Sequence, residues 1–432
     1  MRNRKLWRGL LGLSRASVES VVIDETAGEI VVGVRVHRSE QRRCGRCRRR
    51  APLYDRGDGR RRWRSLDFGT HRVWLEADAP RVSCRVHGPT VAAVPWARHG
   101  AGHTRDFDDT VAWLAVQCSK TAVTELLRIA WRTVGAIVDR VLVDVDATVD
   151  RLDGLRRIGI DEISWKRNHK YLTVVVDHDT GRLLWAAVGR DGPTLERFFD
   201  ELGAERTAAL THISADAAPW IAKVVRTRCP QAVLCADPFH VVGWATDALD
   251  EVRRAAWNAS RTSLKGLPRR PRGRPRKGSA PRPDNRHANT LKRARYALWK
   301  NPENLTTHQA AKLAWIAKTD PRLYRGYLLK EGLRTVFALG GPDGIEALDR
   351  WISWARRCRI PEFVHLQKRI VAHRDQIVAS LEHGMSNALI ESTNTKIRLI
   401  ARLAYGFKKP EHLIALALLA LGGHRPALPG RN

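Results

Sequence analysis

The segment RRIGIDEISWKRNHKYLTVVVDHDTGRLLWAAVGRD (156–191) sets two adjacent acids, Asp161 and Glu162, at the close of an apolar, strand-like run. Asp216 closes another such run in ALTHISAD (209–216). Glu391 lies far downstream in SNALIESTNTKIRLIARLAYG, where Asn387, Asn394, Thr395 and Arg398 share a polar face opposite Leu389, Ile390 and Ile397. Taken singly, a strand-terminal aspartate is most often a turn or cap residue. Three acids that converge are different, because crowded carboxylates repel and need a cation among them. Mg²⁺ is the hard, oxygen-preferring choice. Two such ions (or Mn²⁺) about 3.5–4 Å apart can activate an attacking oxygen and stabilise a leaving one. Successive strand residues face opposite ways, so only one of Asp161 and Glu162 need be a ligand. Asp237 competes with Asp216 for the second place, since Asp237-Pro-Phe-His240 puts an acid and a histidine one helical turn apart after the next strand.

These acids need a scaffold, and the apolar runs supply one. Strand-like runs at 157–161, 171–177 and 182–188 are followed by a helical run at 194–202, a strand at 209–216, a helix at 219–228 and a strand at 232–237. Leu195, Phe198, Phe199 and Leu202 mark one buried helix face, and Pro219 opens the second helix where a missing N–H costs nothing. The fold class expected is α/β: a ribonuclease H-like mixed sheet. There strands one and four are neighbours, so Asp161 and Asp216, each ending its strand, project to one place while Glu391 closes the site from a later helix. Asp216 is favoured over Asp237 because strand four, not five, borders strand one.

Two cysteine-bearing knuckles precede this core. Cys44-Gly-Arg-Cys47 and Cys84-Arg-Val-His87, joined by β-forming sequence, have the spacing of a tetrahedral Cys₃His zinc ribbon, although His37, His71 and His99 also lie nearby. Zinc would supply folding energy to a segment too arginine-rich to build its own core. Arg42, Arg43, Arg46, Arg48, Arg49 and Arg50 would then face phosphate. Between 104 and 150 the apolar spacing turns helical: Phe107, Val111 and Leu114, then Val123, Leu126 and Leu127, then Val134, Ile137, Val138 and Val141. A helix capped near Thr121, a break around Ile129 and Ala130, and a second helix from Trp131 read as a helix-turn-helix. Arg132, Thr133 and Ala136 would reach base edges in a major groove.

The remaining organisation is coarse. Residues 1–40 hold a β-hairpin with a turn at 26–28, 41–100 the ribbon, 104–150 the helix-turn-helix, and 151–260 the first part of the core. A Pro/Arg/Gly linker spans 261–290, too polar to pack. Within it Arg272-Gly273-Arg274 has the form of a minor-groove AT-hook, with non-specific phosphate contact the blander role. A Trp-rich helical insertion covers 291–383, and 384–432 completes the core.

The balance of 76 Lys+Arg against 45 Asp+Glu, a net charge of +31 over 432 residues, draws polyanions, and double-stranded DNA is the leading partner. Seven cysteines in so long a chain are no disulfide framework, which points to a reducing, cytoplasmic setting. The basic start has only a short, interrupted apolar run, unlike a signal peptide. HLIALALLALGG falls short of the ~20 residues that cross a bilayer and reads as a buried helix from Pro410.

Together these motifs resemble the bacterial DDE transposases of the insertion-sequence group called ISL-three. IGIDE (158–162), SAD (214–216), DPFHVV (237–242), N-x-L-I-E-S-x-N-x-K-I (387–397), LAYGFKKPEHL (403–413) and VPWARHGAGHTRDFDDTVAWLA all look like that group. The resemblance implies a ribonuclease H-like core interrupted by a helical insertion, acting on terminal inverted repeats. It places the catalytic triad on Asp161, Asp216 and Glu391, and an Asp-x-x-His signature on Asp237 and His240. Where many relatives have a fourth cysteine this chain has His87, and the arginine-rich linker at 268–282 is not carried from the group. The function expected is DNA cleavage and strand transfer by an oligomer that unites two element ends. The rivals are a structure-specific nuclease of the same fold, and a zinc-dependent DNA-binding regulator with an inert core.

Overall fold

The computed structural model describes residues 2–166, 170–263 and 286–431. Helix α1 (Arg2–Leu10) packs on a bulged hairpin, β1 (Ala16–Asp24) and β2 (Glu29–Val36). Next come β3 (Leu53–Asp55), β4 (Arg60–Arg64), β5 (Arg72–Asp78), β6 (Arg81–Cys84) and β7 (Gly88–Val91). They divide between two sheets. Strands β3, β6 and β7 form the ribbon's sheet, whereas β5 pairs in parallel with β2 and antiparallel with β4. The inward-facing Val32, Val34, Trp63, Val73 and Leu75 bury the hairpin's apolar side. Residues 60–78, assigned from sequence to the ribbon, thus belong to the hairpin's sheet; a parallel pairing between distant strands leaves no local signal.

Helices α2 (Arg105–Gln117), α3 (Lys120–Leu127) and α4 (Trp131–Asp146) follow. The cap of α3 is Ser119, whose hydroxyl accepts from Ala122 N at 3.2 Å, so the helix starts earlier than the expected cap near Thr121. Arg128 ends α3 in the left-handed region (φ 53°), with its guanidinium on Asp67. Fully buried Asp108 accepts from Arg140 Nε at 2.9 Å and faces buried Arg98 at 3.6 Å, which ties α2 and α4 to the segment before them.

A five-stranded sheet occupies the centre: β8 (Arg157–Lys166), β9 (Lys170–Asp177), β10 (Leu183–Val188), β11 (His212–Ala215) and β12 (Val233–Ala236). Its order is β10-β9-β8-β11-β12, with β9 and β10 antiparallel to their neighbours and β11 and β12 parallel to β8. One face carries α5 (Gly192–Leu202), α6 (Ala204–Ala208) and α7 (Pro219–Arg228), with Phe198, Phe199 and Ile221 on Ile158 and Ile160.

Helix α8 (Pro238–Thr262) leads from β12 into a unit of α9 (Arg286–Lys292), α10 (Arg295–Trp299), α11 (Thr307–Thr319), α12 (Pro321–Leu339), α13 (Gly341–Arg357), α14 (Pro361–Ala372) and α15 (Arg374–His383). This unit has its own core around Leu249, Tyr327, Trp351 and Phe363. It returns to the sheet where Ser380 Oγ donates to Ala236 O at 2.5 Å. The chain closes with α16 (Ala388–Leu403) and α17 (Pro410–Leu421) on the sheet's second face. Helix α17 lies between the sheet and α2 and α4, so it is apolar nearly all round. Among the described residues no helix is long and apolar enough to cross a membrane.

Candidate active site and zinc centre

Strand β8 does not end at Asp161, as its sequence suggested, but runs five residues further, paired with β9 as far as Lys166 and Lys170. Asp161 is therefore mid-strand. The parallel register sets Ile160, Ala215 and Ala236 in one row across β8, β11 and β12. The next row is Asp161, Asp216 and Asp237, three aspartates level with one another where the two shorter strands stop. Ile160 and Ala215 pack toward α5 and α7, so the following residues turn toward α16.

Helix α16 is fastened across this row by hydrogen bonds to β8, to β11 and to the residue that follows β12. Asn394 Nδ2 donates to Asp161 Oδ2 at 2.7 Å. The Ser214 hydroxyl donates to Asn387 Oδ1, and Asn387 N donates to Asp237 Oδ1 at 3.2 Å. His178 Nε2 lies 2.6 Å from Ser214 Oγ; since the serine proton goes to Asn387, this nitrogen donates. Both asparagines are buried. Glu391 sits between them in the first turn of α16, half-buried. The fit of helix to strand is tight: a Cβ at Gly159 would lie 2.1 Å from Ile390 Cδ1.

The two candidates for the second ligand differ in what they already hold. Asp237 is 1% exposed and caps α8 by accepting from Phe239 N and His240 N at 3.3 Å each. Its Oδ2 also accepts from His240 Nδ1 at 2.6 Å. Asp216 meets, among the described residues, only His240 Nε2, 3.9 Å away, and its side chain is 30% exposed. The Asp237 hydrogen bond holds the imidazole pKa up at about 9, with Asp216 and Asp161 adding to the effect. His240 is thus an imidazolium at neutral pH. Glu162 meets Arg190, a partner its sequence did not announce.

Among the described residues no cationic side chain forms an ion pair with Asp161 or Glu391. Burial pushes the Asp161 carboxyl upward, opposed by its bond from Glu162 N, with Asp237 and Asp216 adding repulsion. Burial likewise raises Glu391, with Asp237 and Asp161 contributing. Asn394 Oδ1 is buried with no donor among the described residues. An all-oxygen set of under-neutralised carboxylates beside an orphaned amide oxygen suits a hard divalent cation.

The knuckles converge on a second site. Cys44 Sγ lies 3.6 Å from His87 Nδ1, Cys84 Sγ 3.7 Å from the same nitrogen, and Cys47 Sγ 3.7 Å from Cys84 Sγ. All four ligand atoms fall within 4.8 Å of one another. A zinc ion with bonds near 2.3 Å at the centre of a tetrahedron demands edges of about 3.8 Å, so this Cys₃His set fits structural zinc. The Val86 and His87 backbone amides, aimed at Cys84, lower its thiol to about 6. His37 instead bonds Ser17. Two arginines expected to face phosphate are committed internally: Arg43 to Glu40, and Arg48 to Val94 O at 3.2 Å.

Arg132, Thr133 and Ala136 occupy the start of α4, lining a cleft of about 400 Å³ opposite Lys409 and His412. Arg272 and Arg274 lie outside the described residues.

The order is that of a DNA-handling enzyme: metal-fitting ribbon, helix-turn-helix, then a sheet bearing a carboxylate row. Three family profiles match in the same order. Residues 40–87 match "zinc-finger of transposase IS204/IS1001/IS1096/IS1165", 92–142 "Helix-turn-helix domain of transposase family ISL3", and 158–417 a family described as "Transposase". The transposase for insertion sequence element IS1557 of Mycobacterium tuberculosis, in strains CDC 1551 / Oshkosh and ATCC 25618 / H37Rv, is 64% identical over 437 residues, covering 100% of this chain and 98% of that one. The transposase for insertion sequence element IS1001 of Bordetella parapertussis is 24% identical over 427 residues, covering 98% of this chain and 100% of that one. The chain belongs to the ISL3 family of insertion-sequence transposases.

Proposed function

We propose that the chain cuts and rejoins DNA with a DDE site formed by Asp161, Asp216 and Glu391 on a ribonuclease H-like sheet. The sheet order, with a short fourth strand parallel to the first and beside it, supports that fold, and the helical unit between α8 and α16 then counts as its insertion. The observation that carries the reading is the aspartate row crossed by a helix whose two asparagines hold Asp161 and Asp237 and whose Glu391 faces the same charges.

Asp161, Asp216 and Glu391 would hold divalent magnesium or manganese, with Asn394 Oδ1 and Asp237 at its edge. Bound there, the metal supplies Lewis-acid stabilisation of charge on the attacking and leaving oxygens. In the first step a water oxygen bonds to phosphorus and the bond to the 3′ oxygen breaks, leaving a 3′-hydroxyl and a 5′-phosphate. In the second, that 3′-hydroxyl attacks a target phosphodiester by the same displacement. Asn394 orients Asp161, Asp237 keeps His240 charged, and the imidazolium offsets part of the acidic field. The helix-turn-helix and ribbon read the element's terminal repeats, with Arg132, Thr133 and Ala136 toward the bases. Two ends must meet, so the working form is a homo-oligomer.

The test uses a supercoiled donor plasmid bearing both element ends. The wild-type chain is expected to nick and join; Asp161→Asn, Asp216→Asn and Glu391→Gln reduce both to background while leaving end binding intact. Cutting without joining would assign a nuclease instead. Unchanged cutting and joining in all three variants would place the chemistry elsewhere, and end binding by the wild-type chain with no cutting at all would leave only a DNA-binding regulator.

A further inference from the structure

Beyond Asp161 the last residues of β8 pair with β9 alone, because β11 stops level with the carboxylate row. Helix α16 continues over the same stretch. Between them opens a cleft of about 700 Å³, whose lining includes Ile163, Trp165, Lys166, Arg398, Arg402 and Tyr405. Asp161 and Ile163 share one strand face, and past the irregular pairing at Trp165, which also lines the cleft, the cleft prolongs the catalytic site by about 13 Å.

Three features of the lining call for a ligand. Among the described residues, Lys166, Arg398 and Arg402 form no ion pair with a carboxylate and stand exposed. The Trp165 indole N–H is buried and has no acceptor among the described residues. Tyr405 is 80% exposed and sits at φ 51°, a backbone region that side-chain-bearing residues disfavour and that asparagine or glycine occupies more readily. An aromatic ring held there gains little from burial, which directs attention to something that stacks on it.

We propose that this cleft receives an unstacked nucleotide of the DNA strand whose phosphodiester lies at Asp161. The Tyr405 ring stacks on the base, Trp165 Nε1 donates to a base acceptor, and the three cations hold the neighbouring phosphates. Aromatic faces combined with a cationic track are the means by which proteins hold unpaired bases without reading sequence. The proposal rests on the transposase reading and goes further by naming an unpaired nucleotide as part of the substrate.

The test compares two fluorescein-labelled duplexes copied from the element's terminal repeat, one fully paired and one with a single unpaired nucleotide at the repeat's outer edge. Fluorescence anisotropy with the full chain is expected to give tighter binding of the second probe. Tyr405→Asn, which removes the ring yet suits the left-handed backbone, is expected to cut that preference by about 5- to 150-fold. Thermal melts check that the variant folds. Asp161→Asn keeps the preference while losing cleavage, so the cleft and the carboxylates can fail separately. Equal affinity of the wild-type chain for both probes, or a preference that survives Tyr405→Asn, overturns the proposal.

Discussion

Asp161 accepts from Glu162 N on its own strand and, across the sheet–helix interface, from the Asn394 amide at 2.7 Å. Outer partners of ligating carboxylates typically carry about 10–100-fold in activity. Asn394→Leu should therefore slow strand cleavage by about that factor, with end binding in gel shifts unchanged; an unaltered rate would mean that Asp161 orients itself. The thiols offer a second check. Burial pushes Cys229 up to about 12 and Cys235 up to about 11, so both remain protonated and unreactive at pH 8. Stripping zinc with a chelator should add three thiols, Cys44, Cys47 and Cys84, to those titrated by a disulfide reagent, while Cys229 and Cys235 respond only after denaturation. At this scale the acids were legible because each follows an apolar run, and the asparagines because they share a helical face with Glu391. Arg190 on Glu162 and the chain from His178 through Ser214 to Asn387 were not. They depend on strand register and on where α16 lands, which spacing along the chain does not encode.

The central joint between elements is α16 lying directly on β8. Gly159 allows it: a methyl there would meet Ile390 Cδ1 at 2.1 Å and His178 Nε2 at 2.9 Å. Gly159→Ala should cost about 1–3 kcal/mol of stability, seen as a lowered thermal midpoint, and adding Ile390→Val should recover part of it. Failure of the second change to help would place the strain elsewhere. Element types were readable from periodicity, and boundaries less so. The polar Glu162 and Ser164 hid the true length of β8, since β8 keeps pairing with β9 after β11 has ended. The division of 53–91 between two sheets was hidden for the opposite reason. Strands β4 and β5 look like an ordinary hairpin, and nothing local records that β5 joins β2.

Taken whole, the chain is a polycation whose candidate active site is a small cluster of acids. The net charge of +31 predicts binding dominated by phosphate contacts. Affinity for a duplex should fall by at least about 10³-fold between about 50 and 200 mM salt, measured by anisotropy, if six or more phosphates are engaged; a flat response would relocate the affinity to uncharged contacts. Class and domain order were legible from composition and motif spacing, whereas the way the parts lean on one another was not. Helix α17 shows why that matters. Its inner side closes the sheet, its outer side beds α2 and α4, and His412 reaches Asp139 at 2.8 Å. Transplanting the recognition helices of a relative would strand them on a foreign seat. A working chimera has to graft the matching outer surface of α17 too, His412 included.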